Sequence, residues 1–344
     1  MIMKLIIITQ RVNINDDNLG FFHRWLEKLA AKTEKLRVIC LSRGEYHLPE
    51  NVEVYSLGKE RSYPKIWQFL RLQLYLFKNL KHVDGVFVHM CPIYAILSWP
   101  LVRLYKKKFI MFYAHGGTHF KLKLAEKLLD KILTSSPAGF RLKSRKVKVI
   151  GQGIDVDLFQ PKDGYGSENF NMLYAGRINK TKDPLTILKA LDILVNKQNV
   201  KKIKLKIVGH PLVKTERDYL ESLKEFVKSR RLKDYVEFVD GVPYAQMPEQ
   251  YHEADLFINP SSTGSLDKVV LEAMASGCLV LNCNEAYRQI LDDKYLFKKG
   301  DVDDLVQKII NLMRSGKDYN LREIVVKNHN LENFIDKIVA TFKQ

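Results

Sequence analysis

The sequence predicts an α/β protein with two doubly wound domains in tandem, each built on a mostly parallel sheet. Short apolar runs alternate with longer amphipathic segments along the 344 residues, which is typical of parallel strands joined by right-handed helical crossovers. A stretch rich in Gly and Asp at residues 151–168 interrupts this alternation. The length also corresponds to two domains of roughly 150 residues each.

The first half contains seven predicted strands, at residues 4–9, 37–41, 52–55, 85–89, 109–113, 132–134 and 147–150. Helical patterns fill most of the gaps, among them residues 20–32. Residues 65–80 repeat apolar side chains at the spacing of a helix face: Ile66, Phe69, Leu70, Leu74 and Phe77.

The second half restarts the alternation, with strands predicted at residues 172–175, 204–208, 236–239, 256–258 and 278–281. Helices are predicted to begin near residues 184, 218, 246 and 268. We expect domains at 1–160 and 161–326, and a final helix at 327–344 that packs back toward the first domain. Doubly wound sheets bind ligands outside the carboxyl ends of their strands, so two facing sheets predict a cleft between the domains.

The charge is distributed unevenly between the halves. Residues 1–160 hold 27 basic and 13 acidic side chains, a net charge of +14, whereas residues 161–344 hold 29 and 26, a net charge of +3. An excess confined to one half indicates an anionic partner. Residues 103–148, with 13 basic and two acidic side chains, could dock on anionic lipid or form a solvated helix face. Nucleic acid is disfavoured, because no basic motif interleaved with aromatic residues accompanies the charge.

The cysteines and the apolar stretches indicate a cytoplasmic protein. The four cysteines form no C-x-x-C pair and accompany no His cluster, which argues against a metal site and a disulfide framework. Residues 1–9 are predicted to be a strand rather than a signal peptide. The longest other apolar stretch, residues 92–102, is far shorter than the roughly 20 residues of a membrane span. Any membrane association is therefore expected to be peripheral, on the inner face of the cell membrane.

Two loops of the second half contain the strongest candidate binding residues. In residues 174–184 a strand ends at a glycine, and a helix is predicted to start with Asp183 as N-cap and Pro184 at its first position. Arg177 and Lys182 lie between them. Two cations beside a helix N-terminus can bind a diphosphate, although solvated loop charges are the alternative.

The second loop, residues 259–277, leads through small hydroxyl residues into an apolar helix. Backbone amides of residues 264–267 would point at an anion in the crevice. Glu272 shares a helix face with Lys268 and Ser276, so a surface ion pair is one interpretation. The apolar neighbours favour a buried carboxylate that needs a partner such as a sugar hydroxyl.

Three residues of the first half are weaker candidates. His89 and His115 each follow or end a predicted strand, where an imidazole can face the cleft or serve a structural role. Gly20 could let a phosphate approach the backbone, or serve its turn alone. The turn between the first predicted strand and the first predicted helix lacks a G-x-G-x-x-G pattern, which argues against a dinucleotide-binding dehydrogenase.

Taken together, these loops resemble the retaining glycosyltransferases of family 4, which have the GT-B fold of two facing Rossmann-like domains. The matching segments are residues 149–161, 175–182, 207–209, 236–262 and 269–277, in the family's order and spacing. The first half agrees more loosely, through Gly20, His89 and His115.

The resemblance implies a retaining, metal-independent hexosyltransferase that needs no cofactor and uses a UDP-, GDP- or similar nucleotide-sugar. Arg177 and Lys182 would bind the diphosphate, Glu272 the ribose, and His115 would lie near the transferred sugar and the acceptor. The implied donor-binding residues are Gly20, Arg177, Lys182, Gly209, Ser265, Leu266, Asp267, Val270 and Glu272. The implied catalytic residues are His115, Arg177 and Lys182, and His89 and His115 lie on the acceptor side.

One position departs from the family. Where the family often has a glutamate that touches the sugar, eight residues before the position of Glu272, this chain has Gly264. Asp267 or the Ser and Thr residues of the loop would have to reach the sugar differently, or sugar recognition is altered. We predict transfer to a lipid-linked or growing polysaccharide glycan; a nucleotide-sugar epimerase or an inactive relative on the same fold is the alternative.

Overall fold

The computed structural model describes residues 3–162, 167–261, 264–316 and 318–344. The chain forms two compact units. The first unit runs to Gly153 and includes Asn330–Gln344, and the second comprises Ile154–His329. The boundaries predicted after residues 160 and 326 differ by a few residues from these divisions after Gly153 and His329. Part of the predicted connection, residues 163–166, lies outside the described residues.

The first unit is built on a seven-stranded parallel sheet with the order β3-β2-β1-β4-β5-β6-β7. The strands are β1 Met3–Val12, β2 Thr33–Arg43, β3 Val52–Ser56, β4 Gly85–His89, β5 Lys108–Phe112, β6 Lys131–Thr134 and β7 Val147–Val149. Its first four helices are α1 Phe21–Ala31, α2 Lys65–Asn79, α3 Pro92–Leu104 and α4 Phe120–Leu128. Leu5, Ile6 and Ile7 of β1 are fully buried, as expected for a central strand that is covered on both faces.

The second unit is built on a five-stranded parallel sheet with the order β10-β9-β8-β11-β12. The strands are β8 Phe170–Ala175, β9 Ile203–Val208, β10 Val236–Val239, β11 Leu256–Asn259 and β12 Leu279–Asn282. The helices are α5 Pro184–Asp192, α6 Lys214–Ser229, α7 Met247–His252, α8 Lys268–Ala275, α9 Val302–Met313 and α10 Asn320–His329. The chain leaves β8 toward β9 and β10 and then crosses to β11 on the other side of β8. The topological switch point therefore lies between β8 and β11.

The last helix, α11 Leu331–Lys343, belongs to the first unit. Phe334 and Ile335 of α11 join Trp25 of α1 in the hydrophobic core on one face of the seven-stranded sheet. A second core on the other face contains Leu72 of α2 and Leu122 of α4. Burying apolar side chains on both faces is the principal stabilisation of such a sheet.

The predicted α/β fold with two parallel sheets is confirmed, and each predicted strand is present. The boundaries differ where charged residues conceal the apolar pattern. Strand β2 begins at Thr33 rather than at the predicted residue 37. The charged Glu34 and Lys35 near its start interrupt the apolar pattern on which the prediction depends. Helix α6 begins at Lys214 rather than near residue 218, since its first apolar buried side chain is Tyr219. No helix in the described ranges combines the length and the apolar character that a bilayer span needs.

Candidate functional site

The candidate site lies at the carboxyl edge of the five-stranded sheet. The loops that follow β8, β9, β11 and β12 all emerge at this edge because the strands are parallel. Arg177 and Lys182 lie on the loop after β8, and Asp267 lies at the end of the loop after β11. These two loops flank the switch point, where doubly wound sheets bind their ligands.

Arg177 is held by a carboxylate of the same unit. Its Nε donates to Oε2 of Glu216 at 3.0 Å, and its Nη2 lies 2.6 Å from Oε1. Asn179 Nδ2 and the backbone amide of Leu212 donate to the same carboxylate, at 3.3 and 2.8 Å. The guanidinium is therefore fixed in a two-pronged ion pair, a geometry that arginine favours.

Glu216 is a site residue that the sequence reasoning missed. It lies in the first turn of α6 and is buried. Burial alone would raise its pKa, but the hydrogen bonds from Arg177, Leu212 and Asn179 lower it below the ordinary value. An acidic residue in a first helical turn is common, since it complements the helix dipole. The sequence therefore gives no signal that separates Glu216 from an ordinary helix-start glutamate.

Lys182 is also paired with a carboxylate, through a single contact. Its Nζ donates to Oδ1 of Asp267 at 2.8 Å, which joins the loop after β8 to the loop after β11. The other oxygen, Oδ2, accepts hydrogen bonds from the amides of Asn259 and Asn284, at 3.0 and 3.3 Å. Asp267 is thus the counter-ion of Lys182 in this structure. The two cations and the two carboxylates, Glu216 included, balance in charge.

Glu272 lies on a buried face of α8 and not on a solvent-exposed one. Only 3% of the residue is exposed, and Tyr251 donates its hydroxyl to Oε2 at 3.1 Å. Burial raises the pKa of Glu272 and lowers that of Lys268, while the charge of each opposes the shift of the other. The expectation of a buried carboxylate agrees with this arrangement, and the protein itself supplies Tyr251 and Lys268 as partners.

Two glycines allow the loops after β8 and β9 to touch. Gly209 has φ +146°, and a Cβ atom built on it would lie 2.0 Å from the carbonyl oxygen of Gly176. A side chain at position 209 would therefore collide with backbone.

Gly264, at the position where the resembled family often has glutamate, has φ +72°. This left-handed conformation favours glycine, which gives a backbone reason for the departure.

The remaining predicted residues of this unit surround the start of α8. Ser265, Leu266 and Val270 are buried, and the Ser265 carbonyl accepts a hydrogen bond from Asn284 at 2.7 Å. Asp267 is the N-cap residue, but its side chain caps no backbone amide of the helix. Ser262 and Thr263, part of the predicted hydroxyl cluster, lie outside the described residues.

The predicted start of α5 is right in position and different in detail. The helix begins at Pro184 with Asp183 as N-cap. However, Asp183 is left-handed, with φ +48°, and its carboxylate accepts a hydrogen bond from the Thr186 hydroxyl at 2.6 Å instead of capping a backbone amide.

In the first unit, His115 is exposed beyond the end of β5. The backbone amide of Gly117 donates to its Nδ1 at 3.0 Å. Because this bond makes Nδ1 an acceptor, the neutral ring holds its proton on Nε2. His115 therefore offers a hydrogen-bond donor to a molecule that binds there.

His89 and Gly20 lie in more enclosed settings. His89 is 2% exposed, stacks on Phe22 with ring centroids 4.1 Å apart, and has Nδ1 3.2 Å from the Thr9 hydroxyl. These contacts favour the structural interpretation of His89. Gly20 precedes α1 with ordinary helical dihedral angles, and its amide donates to the carbonyl of Asp16.

The structure thus places Arg177, Lys182, Gly209, Asp267 and Glu272 in the second unit and pairs Lys182 with Asp267, whereas the two histidines and Gly20 belong to the first unit. In the part of the chain that the structure describes, no group of three or more His, Cys, Asp or Glu side chains is arranged to hold a metal ion.

The chain matches a known family. The model described as "Glycosyl transferases group 1" matches residues 156–330, just over half of the chain and nearly all of the second unit.

Curated relatives match over a similar part of the chain. Mannosylfructose-phosphate synthase of Agrobacterium fabrum is 26% identical over 180 aligned positions, and the match covers 46% of this chain and 40% of that protein. D-inositol 3-phosphate glycosyltransferase 2 of Catenulispora acidiphila is 30% identical over 150 aligned positions, and the match covers 40% of this chain and 34% of that protein. The matched part of the chain therefore spans less than half the length of these relatives.

Solved structures match over the whole chain. Sucrose-phosphate synthase from Thermosynechococcus elongatus has a TM-score of 0.81 at 16% identity, with 99% of this chain and 98% of that chain covered. HepE of Anabaena in complex with UDP has a TM-score of 0.80 at 16% identity, with 99% and 100% covered. At this identity the likeness shows the fold, which is GT-B as expected from the sequence.

Proposed function

The chain belongs to the glycosyl transferases group 1 family, and we propose that it transfers a sugar, with retention and without a metal ion, from a nucleoside-diphosphate sugar to a hydroxyl acceptor. The acceptor class we propose is a lipid-linked or growing polysaccharide glycan. The observation that supports this proposal best is the contact of Lys182 with Asp267 across the switch point, with Arg177 on the same loop as Lys182. The UDP complex of the HepE fold relative agrees with a nucleotide donor.

In this proposal the diphosphate exchanges with the carboxylates that now hold the two cations. Arg177 keeps a two-pronged geometry suited to two phosphate oxygens, and Lys182 supplies a mobile ammonium. Amides at residues 265–267 before α8 add donors at a helix N-terminus. As the sugar–phosphate bond breaks, the leaving diphosphate gains negative charge, which fixed cations and amides stabilise more strongly than they stabilise the bound donor.

Glu272 is assigned to the ribose. Tyr251 occupies Oε2, so Oε1 is the oxygen that we assign to a ribose hydroxyl. A buried carboxylate strengthens such a hydrogen bond, because little water competes for it. The Tyr251 hydroxyl fixes the orientation of the carboxylate before the nucleotide arrives.

His115 is assigned to the transferred sugar and the acceptor. Its exposed ring and its Nε2 proton fit a hydrogen-bond donor to a sugar oxygen. Since Gly264 takes the place of the glutamate that often touches the sugar, we propose that sugar recognition in this chain differs from the common pattern. The basic first unit is assigned to the acceptor side and to an anionic membrane surface, which would place a cytoplasmic enzyme peripherally at its substrate.

Nucleotide binding tests the donor site. We expect UDP, GDP or one of their sugars to raise the melting temperature in proportion to the logarithm of its concentration. Arg177→Ala and Lys182→Ala should each weaken this binding by roughly ten- to a hundredfold, because a hydrogen bond to a charged group contributes about 1.5–3 kcal/mol.

Lys180→Ala is the matched control, since Lys180 is an exposed lysine of the same loop and should leave affinity unchanged. Titration calorimetry gives the affinities directly. If both Arg177→Ala and Lys182→Ala keep full nucleotide affinity, the assignment of the diphosphate site is wrong.

Turnover separates the transferase from the alternatives. A transferase releases the nucleoside diphosphate only when a hydroxyl acceptor or water takes the sugar, and the anomeric configuration of the product, read by NMR, tests retention. Conversion of the nucleotide-sugar into an isomer without release would instead identify an epimerase. Binding without either reaction would identify an inactive relative.

A further inference from the structure

Helix α2 exposes large apolar side chains on the side that faces away from the core. The exposed fractions are 60% for Ile66, 58% for Trp67, 47% for Leu70, 47% for Leu74 and 59% for Phe77. We refer to these five residues as the outer stripe. The buried side chains of the same helix are Leu72, Leu76 and Asn79.

Helix geometry explains how one helix carries two apolar faces. At 3.6 residues per turn, the outer stripe occupies an arc of about 100°, roughly opposite the buried side chains. Leu72 and Leu76 already anchor α2 in the core of the first unit. The outer stripe is therefore not needed to hold the helix on the sheet, and its exposure to water is unfavourable.

The segment that contains α2 carries charges of one sign. Residues 61–82 contain five basic and no acidic side chains, and Lys65, Lys78 and Lys81 are exposed. A helix with an apolar face and cations beside it is typical of proteins that lie in the interface of an anionic bilayer.

The same chemistry continues onto the end of α3. The ring of Phe77 lies 6.5 Å from that of Tyr105, centroid to centroid. Next to Tyr105 are Leu104, which is 71% exposed, and the exposed Lys106. A cavity of about 430 Å³ at this end of α3 is lined by Arg103, Lys107, Lys127 and Lys146, together with Asp130 and apolar residues. Through the Phe77–Tyr105 contact, exposed apolar and cationic side chains therefore continue from α2 to the end of α3.

We propose that the outer stripe of α2 is the membrane-docking surface of this chain and that its partner is an anionic lipid bilayer. Trp67 suits the bilayer interface, because its ring is largely apolar and its N–H remains able to bind water or a headgroup. A second copy of the chain fits less well, since a symmetric contact through this surface would bring the same cations face to face. The proposal deepens the membrane partner of the proposed function, and it relocates the docking element from residues 103–148 alone to α2 with the end of α3.

Vesicle binding tests the surface. The full chain is sedimented with vesicles of phosphatidylcholine alone and of an equimolar mixture with phosphatidylglycerol, at low and high salt. We expect binding to the anionic vesicles that weakens with salt. Leu70→Ser with Leu74→Ser should reduce it by about tenfold or more, because two buried leucines are lost from the interface. Lys78→Glu with Lys81→Glu should reduce binding to anionic vesicles and leave the weak binding to neutral ones unchanged.

A matched control and a spectroscopic readout accompany these variants. Tyr319→Ser with Val326→Ser removes two exposed apolar side chains of the second unit and should bind vesicles as the natural chain does. The Trp67 emission should shift to the blue with anionic vesicles, and Trp67→Phe should abolish the shift. Circular dichroism establishes that each variant is folded.

Two results would overturn the proposal: no binding of the natural chain to anionic vesicles, or binding that survives the outer-stripe substitutions in folded protein. A change of oligomeric state in those variants, with vesicle binding intact, would assign the surface to a second copy instead. Vesicle binding is measured without a nucleotide and nucleotide binding without vesicles. Failure of this inference is therefore distinguishable from failure of the proposed function.

Discussion

Glu216 holds the guanidinium of Arg177 with both carboxylate oxygens, so the candidate site contains its own counter-ions. Asp267 pairs with Lys182 through one oxygen, Oδ1. A bound diphosphate has to compete with these carboxylates. When no diphosphate is bound, the carboxylates keep the two cations oriented. Prepositioned charges require little rearrangement when the reaction develops new charge.

The pH dependence of the free energy of unfolding should report the contact of Glu216 with Arg177. The pKa of Glu216 is lowered in the folded protein by its hydrogen-bond donors. Its stabilising contribution is therefore complete above the ordinary value of 4.5 and is lost as the pH falls below that value toward the folded pKa. We expect Glu216→Gln to be less stable than the natural chain at neutral pH and the difference to shrink in acid.

Urea unfolding of the second unit at a series of pH values measures this difference. Glu221→Gln provides the control, because Glu221 is an exposed glutamate of the same helix and its loss should change little at any pH. A difference for Glu216→Gln that stays constant with pH would show that packing, not charge, is responsible.

At the scale of elements, the site depends on two loops that touch backbone to backbone. Gly209 allows the loop after β9 to lie against Gly176 at the end of β8, and the β8 loop continues to Arg177. Helix α8 adds a second constraint, since Lys268 and Glu272 lie one turn apart on the same helix and their side-chain charged groups are both buried.

The contact of the two loops predicts the effect of a single methyl group. Gly209→Ala should lower the free energy of unfolding by roughly 3 kcal/mol or more, as backbone collisions do, and should also weaken nucleotide binding by displacing Arg177. Gly300→Ala is the control: its φ is also positive, at +71°, but nothing lies within 4 Å of the added Cβ. It should cost only about 1 kcal/mol of conformational strain.

Denaturant unfolding and calorimetry measure both quantities. Equal losses for the two alanine variants would mean that the loops adjust to the methyl group at position 209. The close approach to Gly176 would then have no role in holding Arg177.

At the scale of the whole molecule, helix α11 completes the core of a unit whose other elements lie far away in sequence. Phe334 is 1% exposed and lies 4.4 Å from Trp25 and 5.4 Å from Phe112, centroid to centroid. Trp25 in turn donates its indole N–H to the carbonyl of Gly153 at 3.2 Å. The first unit is therefore stabilised by α11, in addition to its own crossover helices.

Phe334→Ala should destabilise the first unit by about 3–5 kcal/mol, through lost burial and the cavity left behind. Phe120→Ala is the matched control, because Phe120 is 78% exposed and its removal should change stability by no more than about 0.5 kcal/mol. Urea unfolding followed by tryptophan fluorescence measures both. Similar values for the two variants would mean that α11 contributes little to the stability of the first unit.

The sequence by itself determined the two parallel sheets, because a buried strand needs only a short apolar run and each run is local. It also located Arg177 and Lys182, since the end of a strand followed by Asp183 and Pro184 marks a loop at the carboxyl edge. The family resemblance rested on the same local segments.

The tertiary structure decided which charges meet and which apolar faces are covered. Lys182 and Asp267 are 85 residues apart in the chain, and Arg177 and Glu216 are 39 apart, so no local pattern pairs them. The spacing of Ile66, Leu70, Leu74 and Phe77 indicated a helix face, but the same spacing describes a face on the core and a face toward water. Packing of Leu72 and Leu76 against the sheet turned the outer stripe outward, because a helix can bury only one side of itself on a single sheet.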